Sequence, residues 1–210
     1  MGAVEVADYR SSARRARRRR YNRAMPLHLI LGGARSGKSR HAEQLALAAP
    51  GPVTYIATAR AGDAEMAARI AHHRERRPPE WATMEAPIQL AAALRQAAAP
   101  GATVLIDCLT LWLTNLMFDP SAETPPDASQ DDPAAPPARF ALERSAFLAG
   151  LAGLPGLIIV VSNEIGLGVV PMGALTRFFV DEMGRLNQDV AALADRVTLT
   201  VAGLPLALKG

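Results

Sequence analysis

Leu29-Ile30-Leu31-Gly32-Gly33-Ala34-Arg35-Ser36-Gly37-Lys38-Ser39 is the stretch on which the fold is decided. From Gly32 onward it satisfies G-x-x-x-x-G-K-[ST] at each required position. An apolar run precedes it, and a helix-like segment from Arg40 to Ala49 follows, ending at Pro50-Gly51. That context turns a pattern into a mechanism. A buried strand delivers the chain to a tight loop whose glycines let backbone N–H groups turn inward around phosphate oxygens. The helix behind the loop adds the positive end of its dipole. Lys38 is expected to reach the β- and γ-phosphates, and the Ser39 hydroxyl to complete the shell of a Mg²⁺ ion.

Working outward, the apolar and helical segments alternate. Val53-Thr54-Tyr55-Ile56-Ala57 is rich in β-formers and exits through Thr58-Ala59-Arg60. From Asp63, a plausible N-cap, AEMAARIAHHRERR reads as a helix with Met66 and Ile70 on its apolar stripe, stopped by Pro78-Pro79. Pro87 to Ala99 is an alanine-rich helix, and Thr103 to Asp107 an apolar strand ending in a carboxylate. Leu109 to Phe118, Phe140 to Leu151 and Leu175 to Ala194 read as helices. Leu157 to Val161, Val197 to Val201 and Leu206 to Leu208 read as strands. Such alternation predicts an α/β fold with a mostly parallel sheet covered on both faces. A chain of 210 residues, half of them hydrophobic, fits one such domain.

Two stretches stand apart. Residues 1–24 carry eight arginines against Glu5 and Asp8, a net +6. Subtracting this from the formal +3 of the whole chain leaves −3 from Met25 onward, so the body is mildly acidic. The tail lacks the apolar core of a secretory signal. Nucleic-acid contact and organelle targeting are open to it, but such a run cannot bury a core, and a disordered extension before a start at Met25 is the expectation. Residues 119–138 hold six prolines and five acidic residues with no basic ones, which predicts a mobile insert within the domain spanning 25–210. No apolar run is long enough to span a bilayer. The lone cysteine, Cys108, suits a reducing cytoplasm and follows a buried strand.

In an open parallel sheet, function gathers beyond the carboxyl ends of the strands. Asp107 stands at such an end, either as the Mg²⁺-linked carboxylate of a P-loop protein or as a cap for the next helix. Ser162-Asn163-Glu164 stands at another, open to placing substrate or attacking water and equally to turn chemistry. The cluster His72-His73-Arg74-Glu75-Arg76-Arg77 closes a helix. There a solvated, dipole-favoured helix end competes with a nucleophilic imidazole flanked by arginines that stabilise a phosphorus centre under attack. His28 and His41 fall on a strand and a helix and read as packing or surface residues.

These blocks together resemble the bifunctional adenosylcobinamide kinase / adenosylcobinamide-phosphate guanylyltransferase family of cobalamin biosynthesis. The resemblance runs from about Leu29 to Lys209, excepting the acidic insert. It is carried by GGARSGKSRHAE (32–43), YIATA (55–59), EMAARIAHHRERRPPEW followed by TMEAP (65–87), IDCLTLWLTNLM (106–117), VSNEIGLGVVP (161–171), GRLNQDVAALAD (184–195) and VAGLPLALK (201–209). A bare P-loop is common to many enzymes; this series is specific.

The resemblance implies a RecA-like P-loop fold, a homotrimer and two reactions in one nucleotide region; the acidic body and the absence of helicase blocks count against a nucleic-acid partner. A nucleoside triphosphate, ATP or GTP, phosphorylates the aminopropanol hydroxyl of adenosylcobinamide. GTP then guanylylates a histidine, and adenosylcobinamide phosphate takes the GMP. The family pattern R-I-x-x-H-R-x-x-R-P falls on Arg69 to Pro78 and places the nucleophile at His73, with His72 beside it. By the same matching, residues Gly32 to Ser39, Ala57, Thr58, Ala59, Arg74, Glu75, Arg76, Arg77, Glu85 and Asp107 line the nucleotide site, with Ser39 and Asp107 on the metal. A carboxylate such as Glu85 suits the N1–H and 2-amino edge of guanine. Val180 departs from the pattern, which has arginine there. A kinase of another small molecule would need Lys38 and Asp107 but not His73. A nucleic-acid-dependent motor would need the tail, and a nucleotide-sensing module would have no use for intact Lys38, Ser39, Asp107 and His73.

Overall fold

Seven strands form one sheet in the order β3-β2-β4-β5-β1-β6-β7, all parallel except β7, which returns antiparallel along β6. The computed structural model describes residues 27–75, 77–118 and 138–210; the arginine-rich tail, Arg76 and the insert through residue 137 lie outside the described residues. In chain order the elements are β1 (Leu27–Gly32), α1 (Lys38–Ala48), β2 (Val53–Ala57), α2 (Ala64–Glu75), β3 (Ala82–Glu85), α3 (Leu90–Ala97) and β4 (Thr103–Asp107). They continue with α4 (Leu109–Met117), α5 (Ala138–Leu151), β5 (Leu157–Asn163), α6 (Ala174–Leu193), β6 (Arg196–Val201) and β7 (Leu204–Lys209).

The central strands β1, β4 and β5 are near-continuous apolar runs because both faces are covered. On one face Leu29, Ile56, Val104, Ile106, Ile158 and Val160 pack under α3, α4, α5 and α6. There Trp112 stacks obliquely on Phe147, 5.1 Å between centroids, and its indole N–H donates to the Ile88 carbonyl at 2.7 Å. On the other face Ile30, Tyr55, Leu105, Ile159 and Val161 pack against Ala42 and Ala46 of α1. Small alanines there let α1 lie close on the sheet.

The sequence reading places six strands and six helices correctly and differs at some ends. Residues 82–85 form an additional strand, β3, paired only with β2. Ala82-Thr83-Met84-Glu85 sits at the sheet edge, mostly exposed, so it carries neither an apolar run nor a clean alternation. Helix α2 ends at Glu75, before Arg77, and β5 runs on through Asn163. The Asp63 cap is present: its carboxylate accepts the Met66 N–H at 2.7 Å. No helix among the described residues is long and apolar enough to cross a membrane.

Candidate active site

Register alone brings the expected residues to one rim. Gly32 lies opposite Asn163 on one side and Thr200 on the other; Ala57 lies opposite Glu85 and Asp107. The carboxyl ends of β2, β3 and β4 therefore finish level with one another, and β1 and β5 run two residues further. Side chains alternate along a strand, so Asp107, two residues after Leu105, and Asn163, two after Val161, emerge on the face that α1 covers. That is the face on which the loop between β1 and α1 opens.

The loop has the geometry its glycines predict. Gly32 is irreplaceable: a Cβ there would stand 2.4 Å from Ser36 Oγ and 2.6 Å from the Thr200 carbonyl. Gly37, at φ 95°, is the left-handed N-cap of α1. Arg35 also has positive φ, 55°, and its side chain is exposed. Ser36 N–H donates to the Gly33 carbonyl at 3.3 Å, and Lys38 Nζ donates to the same carbonyl at 3.1 Å, which holds the ammonium over the loop. Gly33 and Ala34 are exposed at its crest, and Ser39 is half-buried in the first turn of α1.

Asp107 does not cap the next helix. The N-cap of α4 is Cys108, without a side-chain cap, and the Asp107 carboxylate instead accepts the Tyr55 hydroxyl at 3.0 Å through Oδ2. Burial, then the neighbouring Asp107 charge, pushes the Tyr55 phenol well above its ordinary value, so it remains a proton donor. Burial also lifts the Cys108 thiol to about 11, which leaves it inert as a nucleophile. Ser39 and Asp107 supply a hydroxyl and a carboxylate, hard oxygen donors that suit Mg²⁺ with phosphate oxygens and water filling the remaining positions. No group of three or more His, Cys, Asp or Glu that could hold a metal ion stands among the described residues.

Thr58 is fully buried, and its hydroxyl donates to the Cys108 carbonyl at 2.7 Å and accepts the Cys108 N–H at 2.8 Å. Its side chain thus shapes the turn after Asp107. Asn115 ties the same rim together, donating to the carbonyls of Thr58 and Pro87 at 2.7 and 3.1 Å. Ala57 and Ala59 are half-buried beside it. Of Ser162-Asn163-Glu164, Ser162 is buried and donates to Asn187 at 2.7 Å, and Glu164 accepts the Gly166 N–H at 2.8 Å, which is turn chemistry.

Beyond the rim, α2 carries His72 exposed and His73 half-buried, their rings edge-on with centroids 6.4 Å apart. Arg74 pairs with Glu85 on the surface, and Glu75 is exposed. Arg77 lies over the Tyr55 ring with Cζ 3.5 Å from its centroid. Arg74, Arg77, Trp81 and Glu85 line a cleft of about 530 Å³. The structure thus gathers Arg74, Arg77 and Glu85 in one place and Lys38, Ser39 and Asp107 at the rim.

The family model for cobinamide kinase / cobinamide phosphate guanyltransferase matches residues 28–208, nearly all of the described chain. The chain belongs to this family. It is 57% identical over 182 residues to the bifunctional adenosylcobalamin biosynthesis protein CobP of Pseudomonas aeruginosa, covering 87% of this chain and 96% of the relative. It is 43% identical over 181 residues to the bifunctional adenosylcobalamin biosynthesis protein CobU of Salmonella typhimurium, covering 86% and 98%. Membership makes it a kinase and nucleotidyltransferase of cobalamin biosynthesis, as the sequence blocks imply. Among solved structures, a type III secretion ATPase superposes with TM-score 0.54 at 11% identity, covering 88% of this chain; the chain spans 57% of that protein. That likeness shows the RecA-like P-loop fold alone.

Tyr55 is the site residue that the sequence reading passed over. It was legible only as a β-former, although a phenol two positions before a strand's carboxyl end, inside an apolar core, needs a polar partner.

Proposed function

We propose that the chain carries out two successive transfers in the region bounded by the P-loop, Asp107 and the α2 segment. In the first, the aminopropanol hydroxyl of adenosylcobinamide attacks the γ-phosphorus of ATP or GTP, its proton leaves, and the bond to the β-phosphate oxygen breaks. Gly32 to Ser39 cradle the phosphates and Lys38 bears developing charge. Ser39 and Asp107 would hold a Mg²⁺ ion, which would supply neutralising charge to the triphosphate. In the second, an imidazole nitrogen of His73 attacks the α-phosphorus of GTP and pyrophosphate departs. A phosphate oxygen of adenosylcobinamide phosphate then attacks the phosphoramidate, breaks the P–N bond, and leaves as adenosylcobinamide-GDP.

What supports this reading is that half-buried His73 directly precedes Arg74, which lines a cleft with Arg77 and Glu85, and that only β2 separates the Glu85 strand from the Asp107 strand. Glu85 reads the guanine edge; its surface pairing with Arg74 is worth at most about 1 kcal/mol and exchanges readily for a ligand. Arg74, Arg76 and Arg77 neutralise the triphosphate and Glu75 borders them, while Ala57, Thr58 and Ala59 form the wall. The working unit is a homotrimer in the cytoplasm, the region from Met25 onward is its catalytic domain, and residues 1–24 and 119–138 are additions outside the chemistry. The test is incubation with α-labelled GTP and Mg²⁺ followed by intact-protein mass and acid and base treatment. An acid-labile, base-stable GMP adduct is expected; a protein that phosphorylates adenosylcobinamide yet never carries GMP would reduce the assignment to a kinase.

A further inference from the structure

Tyr55 stands where the two halves of the proposed site meet. It lies in β2 opposite Leu105 and Thr83, buried to 2% exposure. Its two sides do different things. The hydroxyl donates to Asp107 Oδ2, and the ring face carries the Arg77 guanidinium. A strand-end carboxylate is free to rotate about its own bonds, and a hydrogen bond to one oxygen fixes its plane and leaves the other to a ligand. A guanidinium stacked flat on a ring keeps its N–H groups in plane, pointing outward from the stack. Arg77 Nε and Nη1 are buried, and no hydrogen-bond partner for them stands among the described residues. Buried donors in that state are costly, and an anionic ligand in the adjoining cleft would satisfy them.

We propose that Tyr55 is a positioning residue shared by both reactions: its hydroxyl orients Asp107 toward the metal of the P-loop nucleotide, and its ring seats Arg77 toward a nucleotide phosphate in the Arg74/Glu85 cleft. This rests on the two-reaction reading above. The hydroxyl and the ring are separable by substitution. Tyr55→Phe keeps the seat and loses the bond to Asp107; Tyr55→Leu loses both.

The experiment uses the full chain. Mn²⁺ binding in the presence of a non-hydrolysable ATP analogue is followed by electron paramagnetic resonance, and the rates of GMP-adduct formation and of adenosylcobinamide phosphorylation are measured at saturating Mg²⁺. Tyr55→Phe is expected to weaken Mn²⁺ about tenfold, with the ratio of the two rates at the wild-type value. Tyr55→Leu is expected to weaken Mn²⁺ equally and also to lower the adduct-to-kinase ratio at least tenfold, the effect of a misplaced phosphate ligand. Wild-type Mn²⁺ affinity in Tyr55→Phe, or an unchanged ratio in Tyr55→Leu, overturns the proposal. Should Tyr55→Leu fail to fold, Arg77→Gln takes its place and must lower the ratio at least tenfold; an unchanged ratio overturns the seat. A wild-type protein without an adduct would instead sink the two-reaction reading, and the Mn²⁺ measurement would still judge the hydroxyl.

Discussion

Gly203 donates its backbone N–H to the carbonyl of Ser36 at 2.8 Å, tying the β6–β7 hairpin to the phosphate loop. The hairpin turn is Ala202-Gly203, with φ of 51° and 81°, the mirror-image turn that suits a right-twisted hairpin. A Cβ on Gly203 would meet nothing within 4 Å, so the position demands glycine for its backbone angle and not for space. Gly203→Ala is expected to cost about 1 kcal/mol through the left-handed backbone, and to weaken nucleotide binding as the clamp on Ser36 loosens. Ala202→Asn, which tolerates that conformation, should raise the melting temperature by about 2 °C. Thermal melts with and without nucleotide decide both; a Gly203→Ala protein with unchanged nucleotide affinity would show the clamp to be idle.

Lys38→Ala should impair both transfers, since each holds a triphosphate in one cradle. Losing a charge-assisted contact at a transferring phosphoryl group costs on the order of a hundredfold or more in rate. Near-normal turnover in either assay would count against a shared cradle.

His73→Ala should abolish the GMP adduct and adenosylcobinamide-GDP formation while sparing phosphorylation, so that adenosylcobinamide phosphate accumulates. His72→Ala, altering the exposed neighbour, should leave the adduct in place. Peptide mapping of the labelled protein settles it, and a label that vanishes only from His72→Ala would move the nucleophile by one residue.

Acid should destabilise the protein through His28. Burial, followed by the charges of Arg196 and His41, lowers this imidazole to about 4, and its Nε2 lies 2.8 Å from Thr198 Oγ1. The folded state therefore binds a proton less readily than the unfolded chain. The contribution is complete above pH 6.5 and is lost as pH falls from 6.5 through 4. Its size between those limits is about 3 kcal/mol. Denaturant titrations at pH 7 and 4.5 should show a shallower pH dependence in His28→Asn than in wild type; parallel curves would refute it.

What the chain determines by itself is whatever depends on neighbours in sequence. The loop from Gly32 to Ser39, the apolar runs of β1, β4 and β5 and the Asp63 cap are local, because turn sterics, side-chain alternation and capping reach only a few residues. The family was equally legible, since its blocks lie in the sequence itself. Strand order was not. It was the sheet that put Ala57 opposite both Asp107 and Glu85, drew the exposed residues 82–85 into an edge strand, and turned Asp107 from a possible helix cap into the partner of Tyr55. The contacts Tyr55–Asp107, Tyr55–Arg77 and Ser36–Gly203 join residues 52, 22 and 167 positions apart. Only packing of the whole core offsets the entropy of closing such loops, and no local pattern records which partners will then meet.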